Sequence, residues 1–288
     1  MPVCILSENC HLLNGTVLNF ANMLKSFLLP LIFLCMVAAC NNNSNKNTGN
    51  VAKANDAEKA LLDAVAKFPD SLLLREELIQ YYRDSADYDK AIAATETALQ
   101  KDSLNDRLWN IKANLYFENY DTLSAIAALN RAANINPLPQ YIITLGSMYA
   151  QKRDSTALQI ADFLLKKNLT DKGKDACFIK GLYYNFTGDK LKAISFFDKC
   201  LNIDYNYMFA YREKAIALYD LGRYEDAITV LDKAVTVQTK FDEGYYWLGR
   251  CLEKTGKTAD AIEEYKNALT ISPDYVEAKD ALARLGVK

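Results

Sequence analysis

The chain has 288 residues, with 34 lysines and arginines against 36 aspartates and glutamates and a formal net charge of -2. That balance lacks the basic footprint of a nucleic-acid binder. The only histidine is His11, so histidine-based metal sites, triads and proton shuttles are excluded from everything after the first residues.

Residues 1–22 fit no element. From Met23 the chain reads Met-Leu-Lys, then Phe27 to Met36 almost wholly apolar, then Val37-Ala38-Ala39-Cys40. A short charged region, an apolar run and small residues before a cleavage point define a leader over 23–39. This resembles a bacterial lipoprotein signal peptide, which implies removal of residues 1–39 and lipidation of Cys40. A start at Met23 gives a complete leader, so residues 1–22 read as a start placed too early; the alternative is a long leader. The run falls short of the ~20 residues of a spanning helix, the alternative being a buried helix or an uncleaved anchor. The leader carries one acid, Glu8, and one base, Lys25, so its loss leaves the charge unchanged. After Cys40, the Asn-rich stretch predicts a flexible tether over 40–54.

Beyond the tether the chain is periodic. Ala193, Ala227 and Ala261 recur every 34 residues, as do Gly188, Gly222 and Gly256, while Pro69, Pro137 and Pro273 lie two and then four periods apart. Such a period is the mark of stacked helical hairpins. Units starting at Leu72, Asp106, Pro139, Lys174, Met208 and Asp242 place a small residue at one tight position as Ala91, Ala125, Ala157, Ala193, Ala227 and Ala261. The alanine spacing contracts to 32 at the third unit and recovers with 36, which predicts a shortened turn near Arg153 to Ser155. Ile79 stands where a Gly or Ala is expected and predicts a looser hairpin or altered crossing in the first unit. Upstream, Ala57, Leu61, Ala64 and Pro69 match the second half of a unit, giving an N-terminal cap over 55–71 with its helix at 55–68. Six repeats then fill 72–275, and 276–288 forms a C-terminal capping helix whose Glu277, Lys279, Asp280 and Arg284 supply a polar outer face.

Counted from Asp242, the residues Tyr245, Leu248, Gly249, Leu252, Ala261, Tyr265, Ala268 and Pro273 fall at positions 4, 7, 8, 11, 20, 24, 27 and 32. This resembles the tetratricopeptide repeat, with Leu252 replacing the second aromatic. The resemblance implies an all-α solenoid, a right-handed superhelix of antiparallel helix hairpins with about fourteen helices. It also implies a concave groove lined by positions 2, 5, 9, 12 and 13 of each first helix. Carried onto this chain, the partner-binding groove comprises Asn110, Asn114, Phe117, Phe178, Leu182, Phe186, Phe209, Arg212, Tyr219, Tyr246 and Arg250. Aromatic residues and Arg dominate interface hot spots, and the alternative for each ring is packing between units. The family's carboxylate clamp is incomplete, because Glu76, Glu77 and Ile111 occupy its basic or amide places, so binding of chaperone tails is not expected.

No catalytic residue, metal site or cofactor is predicted. Gly256-Lys257-Thr258 resembles the end of a phosphate-binding loop, but the earlier glycine position holds Cys251 and no strand precedes it. The acidic neighbours Glu225-Asp226 and Glu263-Glu264 point in different directions on a helix and cannot converge on one atom. Cys177, Cys200 and Cys251 form no C-x-x-C pair and read as small buried residues; a disulfide between Cys177 and Cys200 is the alternative an oxidising compartment allows. The expected protein is a non-enzymatic scaffold of the bacterial cell envelope. It is lipid-anchored, on the outer membrane facing the periplasm, and binds envelope proteins or extended peptides rather than a small-molecule substrate. In outline it resembles tetratricopeptide lipoproteins that assist pilus secretin assembly, outer-membrane barrel insertion or peptidoglycan hydrolase control. The alternatives are a non-catalytic regulatory subunit of an envelope enzyme and a self-assembling structural protein.

Overall fold

Small residues where helices cross, glycines where they turn and aspartates where they restart divide the chain into hairpins. The computed structural model describes residues 47–167 and 173–287, and fourteen α-helices account for nearly all of them. Helix α1 spans Asn47–Lys67. Six hairpins follow: α2 (Leu72–Asp84) with α3 (Tyr88–Lys101), α4 (Asp106–Glu118) with α5 (Thr122–Ile135), α6 (Pro139–Gln151) with α7 (Thr156–Lys167), α8 (Lys174–Thr187) with α9 (Lys190–Ile203), α10 (Met208–Asp220) with α11 (Tyr224–Val237), and α12 (Asp242–Lys254) with α13 (Thr258–Ile271). Helix α14, Val276–Arg284, ends the array. Each hairpin helix packs on its neighbours in the chain, and along the first-helix row α6 also packs on α8, α8 on α10 and α10 on α12, the arrangement of a solenoid. The leader, Cys40 and the tether up to residue 46 lie outside the described residues.

The turns show why glycine recurs. In the last hairpin the Lys257 N–H donates to the Leu252 carbonyl at 2.9 Å, with Gly256 left-handed at φ 79°, a helix stop that favours a residue without Cβ. The first three hairpins place Ala86, Tyr120 and Arg153 at that point, with φ of 55°, 61° and 58°. Asp87, Asp121 and Asp189 then cap the second helices by accepting from the N–H groups of Lys90, Ser124 and Lys192.

In every hairpin but the third, the two helices meet through unit positions 8 and 24 with sizes that vary inversely; in the third, Gly146 instead faces Ile160 and Ile179 of the next helices. A Cβ on Gly181 would lie 2.4 Å from Phe197, and one on Gly249 would lie 2.7 Å from Tyr265. Where position 8 is alanine, at Ala113 and Ala215, position 24 is leucine, at Leu129 and Leu231, and all four are buried. The first hairpin inverts the pair. Its bulky Ile79 corresponds to the fully buried Thr95, whose hydroxyl donates to the Ala91 carbonyl, so a smaller partner side chain accommodates Ile79.

Two further boundaries differ from the sequence reading. Residues 47–54 belong to α1 rather than to a tether, consistent with the helix-forming Val51-Ala52-Lys53-Ala54 run. The contraction around the third unit is not confined to its turn. One residue is lost between Asp154 and Ala157, where the Ala157 N–H reaches back only three residues instead of the four of Ala91 to Asp87. The other is lost between α5 and α6, which are joined by Asn136, Pro137 and Leu138 alone.

Candidate protein-binding face

The first helices of successive hairpins form one face, and charged side chains bridge them. Arg83 on α2 holds Glu118 on α4 through Nε at 2.8 Å, and Arg107 on α4 reaches back to Glu76 at 2.8 Å. Arg212 on α10 bonds Glu243 on α12 at 2.6 Å, and Arg284 on α14 bonds Glu253 on α12 at 2.7 Å. Exposed pairs of this kind contribute about 0–1 kcal/mol each; what they set is which polar groups on the face remain unengaged.

The structure divides the expected groove residues into three sets. Asn114 and Phe117 are exposed and Asn110 is half-buried, giving an open patch on α4. Phe178 and Leu182 do not line a groove: they are 7% and 4% exposed and belong to the core between α7, α8 and α9. Phe178 is covered because Tyr207, in the loop before α10, lies edge-on at 5.2 Å and donates its hydroxyl to the buried Asp175 at 3.1 Å. Ile143 and Tyr149 of α6 border the same cluster, which Phe186 flanks half-buried.

The third set lies on α10 and α12 in two groups. Phe209 is 54% exposed, with the Arg212 guanidinium 5.3 Å from its ring. Arg212 is itself held by Glu213 and Glu243; burial opposes its charge, but these two carboxylates outweigh it and raise its pKa. Glu213 is buried, which pushes its pKa up against the pull of Arg212. Tyr219, Tyr246 and Arg250 cluster with Trp247. The Arg250 guanidinium lies 4.8 Å from the Tyr219 ring and 4.4 Å from Trp247, and donates a long 3.4 Å bond to the Tyr219 hydroxyl.

These residues border an open pocket of 390 Å³ lined by Tyr219, Arg250, Glu253, Lys254 and Arg284. The sequence reading missed three of the five. Arg284, expected on the polar outer face of the cap, instead reaches back to α12 and takes both oxygens of Glu253, at 2.7 and 2.8 Å. Glu253 also accepts from the Tyr265 hydroxyl at 2.5 Å. Its carboxyl is held below the ordinary range, first by the Arg284 bond and also by Tyr265, against the opposing effect of burial. Lys254 falls at position 13 of its unit, one of the groove positions, and that register was the signal available in the sequence.

Cys177, Cys200 and Cys251 are free thiols, so the Cys177–Cys200 bridge is not formed. Burial pushes Cys200 and Cys251 up to about 12 and raises Cys177 as well, leaving little of the thiolate that disulfide formation requires. Among the described residues no group of three potential ligands could hold a metal ion, and no helix is long and apolar enough to cross a membrane.

An all-α solenoid of helical hairpins with side-chain clusters along one face is a protein-interaction scaffold by architecture. Family models described as tetratricopeptide repeat match residues 76–138, 212–276 and 174–207, together more than half of the chain. The chain belongs to the tetratricopeptide repeat family. It is 27% identical over 207 residues to a TPR repeat-containing protein of Methanocaldococcus jannaschii, a match covering 69% of this chain and 35% of that protein. The chain thus spans about a third or less of the curated relatives it matches. Among solved structures, a tetratricopeptide repeat protein from Parabacteroides merdae superposes with a TM-score of 0.64 at 19% identity, covering 82% of this chain and 94% of that one. PilW, a type IV pilus biogenesis factor, gives 0.53 at 19% identity, covering 73% and 97%. At such identities the likeness is one of fold.

Proposed function

We propose that the protein is a non-catalytic scaffold that binds a protein partner through the C-terminal half of its first-helix face. The observation that carries this is the cluster of Tyr219, Tyr246, Trp247 and Arg250, with Phe209 at the other end of α10, aromatic and guanidinium groups left half-buried or exposed. Side chains of these types supply most of the binding energy in protein interfaces. The leader pattern ending in Cys40 adds a lipid anchor, which would tether the scaffold in a bacterial envelope. The outer membrane, facing the periplasm, is the proposed site, and the partner is an envelope protein or an extended segment of one. The fold likeness to PilW does not choose among pilus assembly, barrel insertion and hydrolase control.

The test is site-specific photo-crosslinking in cells. A crosslinker replacing Phe209 is expected to give one discrete adduct, while one replacing Leu191, an exposed residue on the second-helix row, gives none. Equal labelling from both positions, or adducts only from Leu191, would refute the assignment of the face. Incorporation of labelled palmitate, abolished by Cys40→Ser, tests the anchor separately.

A further inference from the structure

The row of second helices changes sign part-way along the array. In α7, Lys166 and Lys167 stand against Asp162, and in α9, Lys190, Lys192 and Lys199 stand against Asp198, formal charges of +1 and +2. In α11, Glu225, Asp226 and Asp232 stand against Lys233, and in α13, Asp260, Glu263 and Glu264 against Lys266, -2 for each helix. The first helices stay between -1 and +1. Both acids of the basic helices are spent on first-helix lysines, Asp162 on Lys180 at 2.7 Å and Asp198 on Lys214 at 2.6 Å, while Lys190 is held by Asp220. Among the described residues no carboxylate forms an ion pair with Lys166, Lys167, Lys192 or Lys199, all four exposed; Asp189 acts on the Lys192 ammonium only through space. The helix dipole accounts for the two lysines in the last turn of α7 but not for Lys192, which stands at the positive start of α9. Lys192 lies 3.9 Å from the Tyr184 ring and Lys199 4.7 Å from the Phe196 ring, and these two rings stack at 5.5 Å, so the cations of α9 share one patch. Beside it Leu191 is 65% exposed.

We propose that the exposed side of α7 and α9 rests on an anionic lipid surface, its lysines taking headgroup phosphates and Leu191 entering between them. The proposal rests on the reading of Cys40 as a lipid anchor to bring the bilayer within reach: α1 starts seven residues after Cys40, a span of about 25 Å at most. The choice of cation favours lipid over protein. Neither α7 nor α9 contains an arginine, and lysine is depleted in protein interfaces where arginine is enriched. A compact ammonium suits a diffuse layer of headgroups, and each lysine near such a surface strengthens the contact by about fivefold. The acids of α11 and α13 are repelled by the same surface, so the array meets the lipid at α7 and α9 and rises from it towards its C-terminal end. Phe209, Tyr219 and Tyr246, on the row of first helices, are left open to a partner.

The test reconstitutes the full chain in vesicles of phosphatidylcholine alone or of equal parts phosphatidylcholine and phosphatidylglycerol. A photo-crosslinker replaces Leu191 on α9 or the exposed Thr229 on α11, and lipid adducts are measured by mass spectrometry. Leu191 is expected to give about tenfold more lipid adduct on the phosphatidylglycerol vesicles than on phosphatidylcholine, and Thr229 none above background on either. Lys192→Gln and Lys199→Gln, both at exposed sites, should each lower the Leu191 yield on phosphatidylglycerol by about twofold to fivefold, as should added salt. Equal Leu191 yields on the two vesicles, a Thr229 yield matching that of Leu191, or a Leu191 yield unmoved by either lysine variant overturns the proposal. So does a discrete chain-to-chain adduct from Leu191, which would make the acidic α11 and α13 of a second copy the occupant. Palmitate incorporation reads the anchor separately. Phosphatidylglycerol-dependent adducts without palmitate keep this surface and remove the anchor, whereas palmitate without such adducts keeps the anchor and overturns the surface.

Discussion

The inverse sizes of positions 8 and 24 make a double-mutant prediction. In Gly181→Ala the new Cβ would sit 2.4, 2.6 and 3.0 Å from three carbons of the Phe197 ring, where carbon–carbon contacts are comfortable at about 3.5–4.0 Å. Phe197 is fully buried and cannot swing into solvent. Overpacking of this kind costs about 1–3 kcal/mol, offset by about 1 kcal/mol from replacing a mid-helix glycine with alanine. The net expectation is a destabilisation of about 1 kcal/mol. Phe197→Leu alone opens space beside a glycine and should cost about 1–2 kcal/mol, less than the 3–5 kcal/mol of a full truncation. The double variant recreates the Ala113–Leu129 and Ala215–Leu231 pairs, so it should lie within about 1 kcal/mol of the parent, with a coupling of about 1–3 kcal/mol. Urea unfolding followed by helical circular dichroism on the four proteins closes the cycle. A coupling below about 0.5 kcal/mol would falsify the size-matching argument.

Three further outcomes are expected. Tyr120→Gly should stabilise the array by about 0.5–1 kcal/mol, because Tyr120 holds φ 61° while 95% exposed and loses no packing; a lower urea midpoint would contradict this. Peptide-resolved thiol labelling of the native protein should reach Cys177 first, with Cys200 and Cys251 modified only on unfolding, since burial pushes both up to about 12; early labelling of either would show that the core opens locally. Glu253 has a folded pKa depressed from its ordinary 4.5, so its contribution is full above that value and is lost as pH falls through the depressed one. Amide exchange in α14, compared with α5 as an internal control, should therefore accelerate selectively as pH drops below about 4.5. Glu253→Gln should produce the same loosening at neutral pH, and parallel behaviour of α5 and α14 would argue against the Arg284 bond as the tie.

The fold was legible because the helical spacing, the alanine grid and the glycine grid all report local geometry. Ala193, Ala227 and Ala261 are fully buried for the reason that keeps them small, and Gly188, Gly222 and Gly256 are left-handed. The groove was less legible, because a position within a unit fixes direction but not what lies over it. Phe178 and Phe209 both occupy inward positions of first helices, yet one is 7% and the other 54% exposed. The difference is made by Tyr207, which folds over the first and leaves the second at the rim. Arg284 escaped for a related reason: its partner Glu253 lies 31 residues away in another unit, and no period links a cap to a groove. The third unit misled because two single-residue losses mimic one shortened turn.

Position 13 of the first helices is acidic in the first, second and fifth hairpins and basic in the sixth. In the second and fifth hairpins the acid at position 13 meets a cation of the preceding hairpin, as Glu118 meets Arg83 and Asp220 meets Lys190. In the sixth hairpin the order is Glu253-Lys254, and Arg284 of α14 answers the acid. The cap thereby completes the ion-pair row one residue earlier in the unit and leaves Arg250 and Lys254 surplus to it. Arg250 itself stands within the aromatic cluster of Tyr219, Tyr246 and Trp247. A segment docked along α10 and α12 would place its apolar residues against Phe209, Tyr219 and Tyr246.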